Sequence, residues 1–149
     1  MNPGKARLLL ALALWTPPLY PDQTGRTKQS LDRTRSLAEA QHEIVMLLLQ
    51  KKEFTRAIAE ASKIFEMGWP EDQEPVLLRE LLFFADQFLH HGEPALGIQL
   101  METNAKSFKA VKSRVAIYKE KGYLYKELNQ NDKALDCFRE AQRLEKNGH

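Results

Sequence analysis

The helical spacing of apolar residues, which runs from Leu37 to the carboxyl end, most constrains how this chain folds. Apolar side chains recur three and four positions apart, so that each segment presents one apolar face when it is helical. Turn residues interrupt this spacing, and no stretch alternates apolar and polar residues over the length of a strand. The pattern predicts an all-α fold. Its helices begin at residue 37 and continue over residues 54–65, 76–89, 95–108, 112–128 and 132–146.

The six predicted helices form three pairs, each joined by a short turn. An alanine follows each of these turns, at Ala57, Ala95 and Ala134, with spacings of 38 and 39 residues. A period in this range is typical of helical repeat arrays, in which each hairpin buries its apolar face against the next. The chain has 149 residues, the usual size of one domain. We therefore expect a single array of three hairpins.

The last hairpin resembles a tetratricopeptide repeat. The small glycine allows the two helices to approach closely, the aromatic rings fill the space between them, and the alanines keep the second helix near its partner. These repeat-packing residues are Tyr118, Gly122, Tyr125, Ala134, Phe138 and Ala141. The hairpin departs from the family pattern at Asn129, where glycine is usual, and at Lys121, where an apolar residue is usual.

The resemblance extends with less detail over residues 37–147. The first hairpin matches through Val45, Leu48 and Ala57, and the middle hairpin through its turn and Ala95. It implies an α-α superhelix of about three tetratricopeptide-like hairpins, over residues 36–148, behind an extended amino-terminal arm. The alternative is a plain helical bundle.

Residues 1–21 have the outline of an export signal. Two basic residues precede eight consecutive apolar ones, Leu8 to Trp15, and prolines follow. Eight residues are too few to cross a bilayer, which takes about 20 in a helix. The A-x-A sequence Ala11-Leu12-Ala13 lies inside the apolar run rather than after it. Two interpretations stay open: a cleaved signal on a periplasmic or secreted protein, or, in a cytoplasmic protein, an arm that packs on the body of the chain or on a partner. Residues 8–20 also offer contact with a membrane surface.

Residues 22–35 are mostly polar and are predicted to form a linker that becomes helical near its end. Ser36 and Glu39 fit a capping box, in which a serine hydroxyl and a glutamate satisfy the first free backbone N–H groups of a helix. We therefore place the start of the repeat domain at residue 36.

Charge is distributed in blocks along the chain, although the net charge is only +2. Residues 1–35 carry six basic and two acidic side chains, residues 36–105 five and twelve, and residues 106–149 eleven and six. The last block begins with the basic stretch 106–121, where a solvated helix face, a protein-binding face and a nucleic-acid-binding face are the alternatives. Ends of opposite charge also favour head-to-tail association of copies.

The resemblance implies that the first helix of each hairpin lines a concave groove that holds a partner. The candidate partner-binding residues on or near the third such helix are Lys106, Lys109, Lys112, Lys119 and Tyr123. The first such helix offers Gln41, His42 and Glu43 and no matching lysine, which argues against a clamp for a terminal carboxylate.

No arrangement of residues in the sequence indicates catalysis, a metal or a cofactor. Gly92 and Gly97 have the spacing of a phosphate-binding loop, but the lysine and hydroxyl residue that complete such a loop are absent. Neighbouring His90 and His91 point in different directions and do not form a metal pair. Cys137 precedes the core position Phe138 and is expected to be a buried, unreactive thiol.

The run Leu81 to Phe84 places large apolar residues on all sides of a helix. Burial between two neighbouring helices is favoured over an exposed docking patch.

Together these observations predict a non-enzymatic protein-interaction module. It would be an adaptor, scaffold or accessory subunit of a larger complex. One version of this hypothesis places that complex at a membrane. The alternative is a helical nucleic-acid-binding accessory protein that uses residues 106–121.

Overall fold

In a computed structural model, which describes residues 24–148, the chain is all-α, and six α-helices account for most of this range. They are α1 (Thr24–Gln50), α2 (Phe54–Phe65), α3 (Glu74–His90), α4 (Pro94–Asn104), α5 (Val111–Glu127) and α6 (Asn131–Asn147). Short 3₁₀ turns, Glu71–Gln73 and Ala105–Ser107, precede α3 and follow α4. The predicted all-α fold with six helices is confirmed.

The helices pack in sequential pairs: hairpin 1 is α1 with α2, hairpin 2 is α3 with α4, and hairpin 3 is α5 with α6. Neighbouring hairpins meet through α2 and α4, through α3 and α5, and through α4 and α5. Each hairpin therefore contacts the next one along the chain, and the predicted pairing is confirmed.

The three hairpin turns share one backbone geometry. Each has a residue in the left-handed region two positions before its second helix: Lys52 (φ 57°), Gly92 (φ 74°) and Asn129 (φ 56°). In each turn, the N–H of the next residue donates to the carbonyl five positions back: Glu53 to Leu48 (2.9 Å), Glu93 to Phe88 (2.8 Å) and Gln130 to Tyr125 (2.9 Å). The N–H of the left-handed residue also donates to the carbonyl three positions back. These two hydrogen bonds together form a Schellman motif.

This shared turn aligns the hairpins in a register that differs from the prediction. Ala57 and Ala134 lie three positions into their second helices and are buried, as predicted. Ala95 lies only one position into α4 and is exposed, so the packing role predicted for it is wrong. The equivalent residue is Gly97, which is buried against α3 and α5. The middle helix begins at Pro94, and this start sets which small residue faces inward.

One apolar core runs through the first five helices. Its largest buried side chains include Phe84, Phe88, Leu49 and Leu81. Within the run 81–84, Leu81 and Phe84 are fully buried, and Leu82 and Phe83 are partly buried against the same core. The burial predicted for this run is therefore confirmed. A small second cluster of Val115, Ala141 and Leu144 joins α5 to α6.

Helix α1 begins earlier than the sequence indicates. The residues predicted to form a polar linker, 22–35, are helical from Thr24 onward, and the helix passes through Ser36 without a break. The capping-box prediction at Ser36 is therefore wrong. Polar residues such as Arg, Lys and Gln have good helix propensity, so a polar stretch continues a helix whose far end is packed. The predicted signal or arm, residues 1–21, lies outside the described residues.

Candidate functional site

Hairpin 3 brings together the residues that resemble a tetratricopeptide repeat. A Cβ built on Gly122 would lie 2.7 Å from Cζ of Phe138, so glycine is required for the ring to lie against α5. Ala134 and Ala141 are buried at the same interface. Tyr125 is partly buried against the main core. Sequence reasoning therefore identified the close contact between α5 and α6.

A cleft of about 380 Å³ lies where hairpin 3 meets the end of hairpin 2. Its lining comes from α4, the 3₁₀ turn after it, and the first three turns of α5. Apolar atoms of Met101, Ala105 and Ile117 belong to the lining, and charged groups surround them. The lining residues are Met101, Glu102, Ala105, Lys106, Arg114, Ile117, Tyr118 and Lys121.

The three cations in this cleft differ in whether a carboxylate pairs with them. Lys121 Nζ lies 3.2 Å from Oε1 of Glu102 and 5.3 Å from the centre of the Tyr118 ring, so this cation is already paired. Lys106 and Arg114 are exposed and have no salt-bridge partner within residues 24–148. The cleft therefore presents two cations without a salt-bridge partner beside an apolar floor. Arg114 also interacts with Glu140, whose pKa is lowered by its hydrogen bond with Arg143 and, to a smaller extent, by the charge of Arg114. Carboxylates or phosphates complement such a surface.

Glu102 also affects Tyr125, the tyrosine of the repeat pattern. Burial of the Tyr125 hydroxyl, with a smaller effect from the Glu102 carboxylate, raises the pKa of this tyrosine. Tyr125 therefore remains a neutral packing residue at physiological pH.

The five predicted partner-binding residues do not converge on one surface. Of these five, only Lys106 lines the cleft. Lys119 Nζ lies 3.8 Å from Oε2 of Glu145 on α6, and the Tyr123 ring meets the Phe138 ring edge-on, 5.2 Å between centres. Lys119 and Tyr123 therefore belong to the side of α5 that faces α6.

Lys109 and Lys112 lie on either side of the start of α5 and are exposed. Carboxylate oxygens of Glu74 at the start of α3 accept hydrogen bonds from the backbone N–H groups of Lys109 (3.3 Å) and Ala110 (3.0 Å). This fixes the connection between hairpins 2 and 3 next to the cleft. Sequence reasoning placed Arg114 and Lys121 in the basic stretch but did not single them out for binding.

A buried ionisable pair lies between α1 and α3, and no pattern in the sequence indicates it. His42 Nδ1 contacts Oε1 of Glu80, and the two side chains are only 2% and 1% exposed. The His42 ring also lies against the rings of Phe83 and Phe84, with centres 5.4 and 5.2 Å apart. This pair joins hairpin 1 to hairpin 2 in the middle of the apolar core.

The remaining candidates for catalysis or metal binding are Cys137, His90 and His91, and each of them makes packing or pairing contacts within the fold. Cys137 is buried, and burial raises the pKa of its thiol, which disfavours the reactive thiolate. His90 Nδ1 lies 3.3 Å from a carboxylate oxygen of Asp86, whereas the His91 ring lies against Phe54, so the two histidines point apart as predicted.

Within residues 24–148, no three His, Cys, Asp or Glu side chains lie close enough together to hold a metal ion. In the same range, no helix has the length and apolar character needed to cross a membrane.

Comparison with known proteins gives no relative from which to transfer a role: no protein-family model, curated protein or solved structure matches this chain.

Proposed function

We propose that the chain is a non-enzymatic protein-interaction module of the tetratricopeptide type, serving as an adaptor or accessory subunit of a larger complex. The observation that carries this proposal is the repeated hairpin, since three turns with the same left-handed residue and the same hydrogen bonds place three hairpins in one register. Stacked hairpins in one register build an extended surface, and repeat proteins use such surfaces for binding. In this proposal the stack forms an α-α superhelix.

The cleft between α4 and α5 is the proposed contact site. It combines an apolar floor, at Met101 and Ile117, with the cations Lys106 and Arg114, which have no salt-bridge partner among the described residues. We expect a partner segment that places an apolar side chain in the cleft and a carboxylate against these cations. An arginine at such a position makes two parallel hydrogen bonds to a carboxylate, which gives the contact a defined geometry.

The division of the basic stretch supports a protein partner over nucleic acid. Lys119 and Lys121 are paired with carboxylates and lie on different sides of α5. A nucleic-acid surface needs several cations that follow the phosphate backbone together.

Photocrosslinking in the native cell tests the proposal. A photoreactive residue at Lys106 is expected to give a single protein adduct of defined mass, whereas one at Gln142 on the exposed side of α6 is the matched control. The charge reversal Arg114→Glu should reduce the Lys106 adduct by at least tenfold, because it places a like charge against the partner's carboxylate.

Two results would contradict the proposal. One is an equal yield of the same adducts from Lys106 and Gln142. The other is a purified chain that binds nucleic acid with an affinity that falls steeply with salt, as the nucleic-acid alternative requires.

A further inference from the structure

Lys121 is the least exposed of the three cations that line the cleft. Its side chain is 15% exposed, whereas Lys106 and Arg114 are exposed. An ion pair between exposed side chains contributes little, because water screens both charges. A cation that is largely removed from water gains more from a carboxylate beside it. The carboxylate of a bound segment therefore gains most at Lys121.

The protein already supplies a carboxylate at this position. Nζ of Lys121 on α5 lies 3.2 Å from Oε1 of Glu102 on α4, and 5.3 Å from the centre of the Tyr118 ring. The tetratricopeptide pattern usually has an apolar residue at the position of Lys121, so the close packing of hairpins does not require this ion pair. Its role is left to be found in the cleft.

The two members of the ion pair differ in how easily they separate. The Glu102 side chain is 52% exposed, so moving its carboxylate fully into water changes its solvation little. Lys121 would stay largely buried without a partner, which is unfavourable. Replacement of Glu102 by another carboxylate keeps Lys121 paired, whereas departure of Glu102 alone does not.

We infer that Glu102 is a resident counter-ion that competes with the partner's carboxylate for Lys121. The partner's acidic side chain takes the place of Glu102, and Glu102 turns towards water. Lys106 and Arg114 attract the acidic segment to the cleft, and Lys121 is its main charged contact. This inference rests on the proposed function of the cleft and adds its regulation.

The exchange also determines which segments bind. Replacing one carboxylate by another at Lys121 is nearly neutral in free energy, since a pair is broken for each pair formed. An acidic residue alone therefore binds weakly. The apolar contact with Met101 and Ile117 then distinguishes the correct segment from other acidic ones.

Binding of a blocked dipeptide to the full chain tests the exchange. Acetyl-leucyl-aspartyl amide carries one apolar side chain and one carboxylate, and acetyl-leucyl-asparaginyl amide is its uncharged counterpart. Glu102→Gln should bind the aspartyl peptide at least about fivefold more tightly than the parent chain, because the internal competitor is gone. Affinity for the asparaginyl peptide should not change. Backbone amide resonances of Met101 and Lys121 in two-dimensional NMR report binding at the cleft.

Two further variants separate the ion pair from other effects. Glu127→Gln, at an exposed position at the end of α5, changes the net charge by the same amount and should leave both affinities unchanged. Lys121→Met supplies the apolar residue type that is usual at this position. Added to Glu102→Gln, it should abolish the gain in affinity for the aspartyl peptide.

Three results would overturn the inference: equal binding of the aspartyl peptide by the parent chain and Glu102→Gln, a gain that survives Lys121→Met, or no shift of either resonance in either chain. If the Lys106 crosslink in the cell is nevertheless specific, the proposed function stands without the exchange. A clear gain for Glu102→Gln, together with equal crosslinks from Lys106 and Gln142, would instead confirm the exchange and contradict the proposed function.

Discussion

At the scale of single residues, the fold depends on which small residue lies at each close approach between helices. A Cβ built on Gly97 would lie 3.1 Å from the carbonyl oxygen of Ala85 and 3.1 Å from Cδ1 of Leu124. Backbone atoms cannot move aside as a side chain can, so this position tolerates little added volume. Ala95, two positions earlier, faces solvent.

We expect Gly97→Leu to lower the free energy of unfolding by about 2–3 kcal/mol, because the larger side chain forces α4 away from α3 and α5. Ala95→Leu is the matched control and should change it by no more than about 0.5 kcal/mol. Urea denaturation followed by circular dichroism measures both. Equal effects of the two substitutions would show that the alanine spacing, and not the shared turn, sets the register.

A second residue-scale prediction concerns pH. Burial raises the pKa of Glu120, and the nearby charge of Asp86 raises it further. A carboxyl whose pKa is higher in the folded state than in the unfolded state makes folding less favourable once the pH exceeds its unfolded pKa. Glu120→Gln should therefore raise the melting temperature at pH 7.

This gain should shrink as the pH falls through the raised pKa towards 4.5, where the parent side chain becomes protonated in both states. Thermal melts of both chains between pH 4 and pH 8 measure this. A gain that stays constant over this range would contradict the assignment.

The sequence predicted element types well and residue register less well, for a physical reason. Helical spacing is written into the apolar pattern, so six helices and their pairing followed from it. The left-handed turn residues are a lysine, a glycine and an asparagine, and Lys52 is not a residue type that marks this conformation, as glycine and asparagine do. An alignment of the three hairpins on their alanines alone therefore places Ala95 at the position where Gly97 packs.

At the scale of the elements, the contact between α1 and α3 contains the His42–Glu80 pair. Nε2 of His42 and Oε2 of Glu80 are buried and have no hydrogen-bond partner among the described residues. The pair is thus held mainly by its one mutual contact and by the surrounding aromatic rings. Removing one member leaves the other buried without a partner, which costs more than removing both.

We expect Glu80→Ala to lower the free energy of unfolding by about 3 kcal/mol. The double substitution His42→Leu with Glu80→Leu should cost less than this single change, because no polar group is then left buried. Glu39→Ala, at an exposed position on α1, should change it by no more than about 0.5 kcal/mol. A double substitution more damaging than Glu80→Ala would show that packing volume, and not the unpaired polar group, decides the result.

The candidate cleft shows what sequence could not decide at this scale. The basic stretch was visible, but the rotation of α5 about its axis was not. Lys121 occupies a position where the tetratricopeptide pattern usually has an apolar residue. Its Nζ pairs with Oε1 of Glu102 on α4, at 3.2 Å. That pairing depends on a carboxylate from the preceding hairpin, and so no pattern within residues 106–121 reports it.

At the scale of the whole molecule, stability depends on stacking. Ile117 and Leu124 of hairpin 3 belong to the same core as the first two hairpins, and Leu124 covers Gly97. Repeat arrays need about three units, since no unit buries its apolar face alone. We therefore expect the first two hairpins to depend on hairpin 3 for their stability.

A chain that ends at residue 111, without residues 112–149, should lose its cooperative thermal transition, because the face of α4 that meets α5 is then open to water. A chain that ends at Asn147 should keep it, since only the last two residues are removed. Differential scanning calorimetry distinguishes the two. A shortened chain that melts sharply would count against hairpin stacking as the source of stability.

The common turn geometry also bears on how the length of such a protein changes over generations. In each hairpin the first helix ends in the same Schellman motif, with Lys52, Gly92 or Asn129 in the left-handed region. Its hydrogen bonds involve only residues of that hairpin. A duplicated stretch of about 40 residues brings its own turn with it, and the contacts within each later hairpin are kept. Gene duplication can therefore lengthen the protein one hairpin at a time, while a shorter insertion within a hairpin displaces one helix face against its partner.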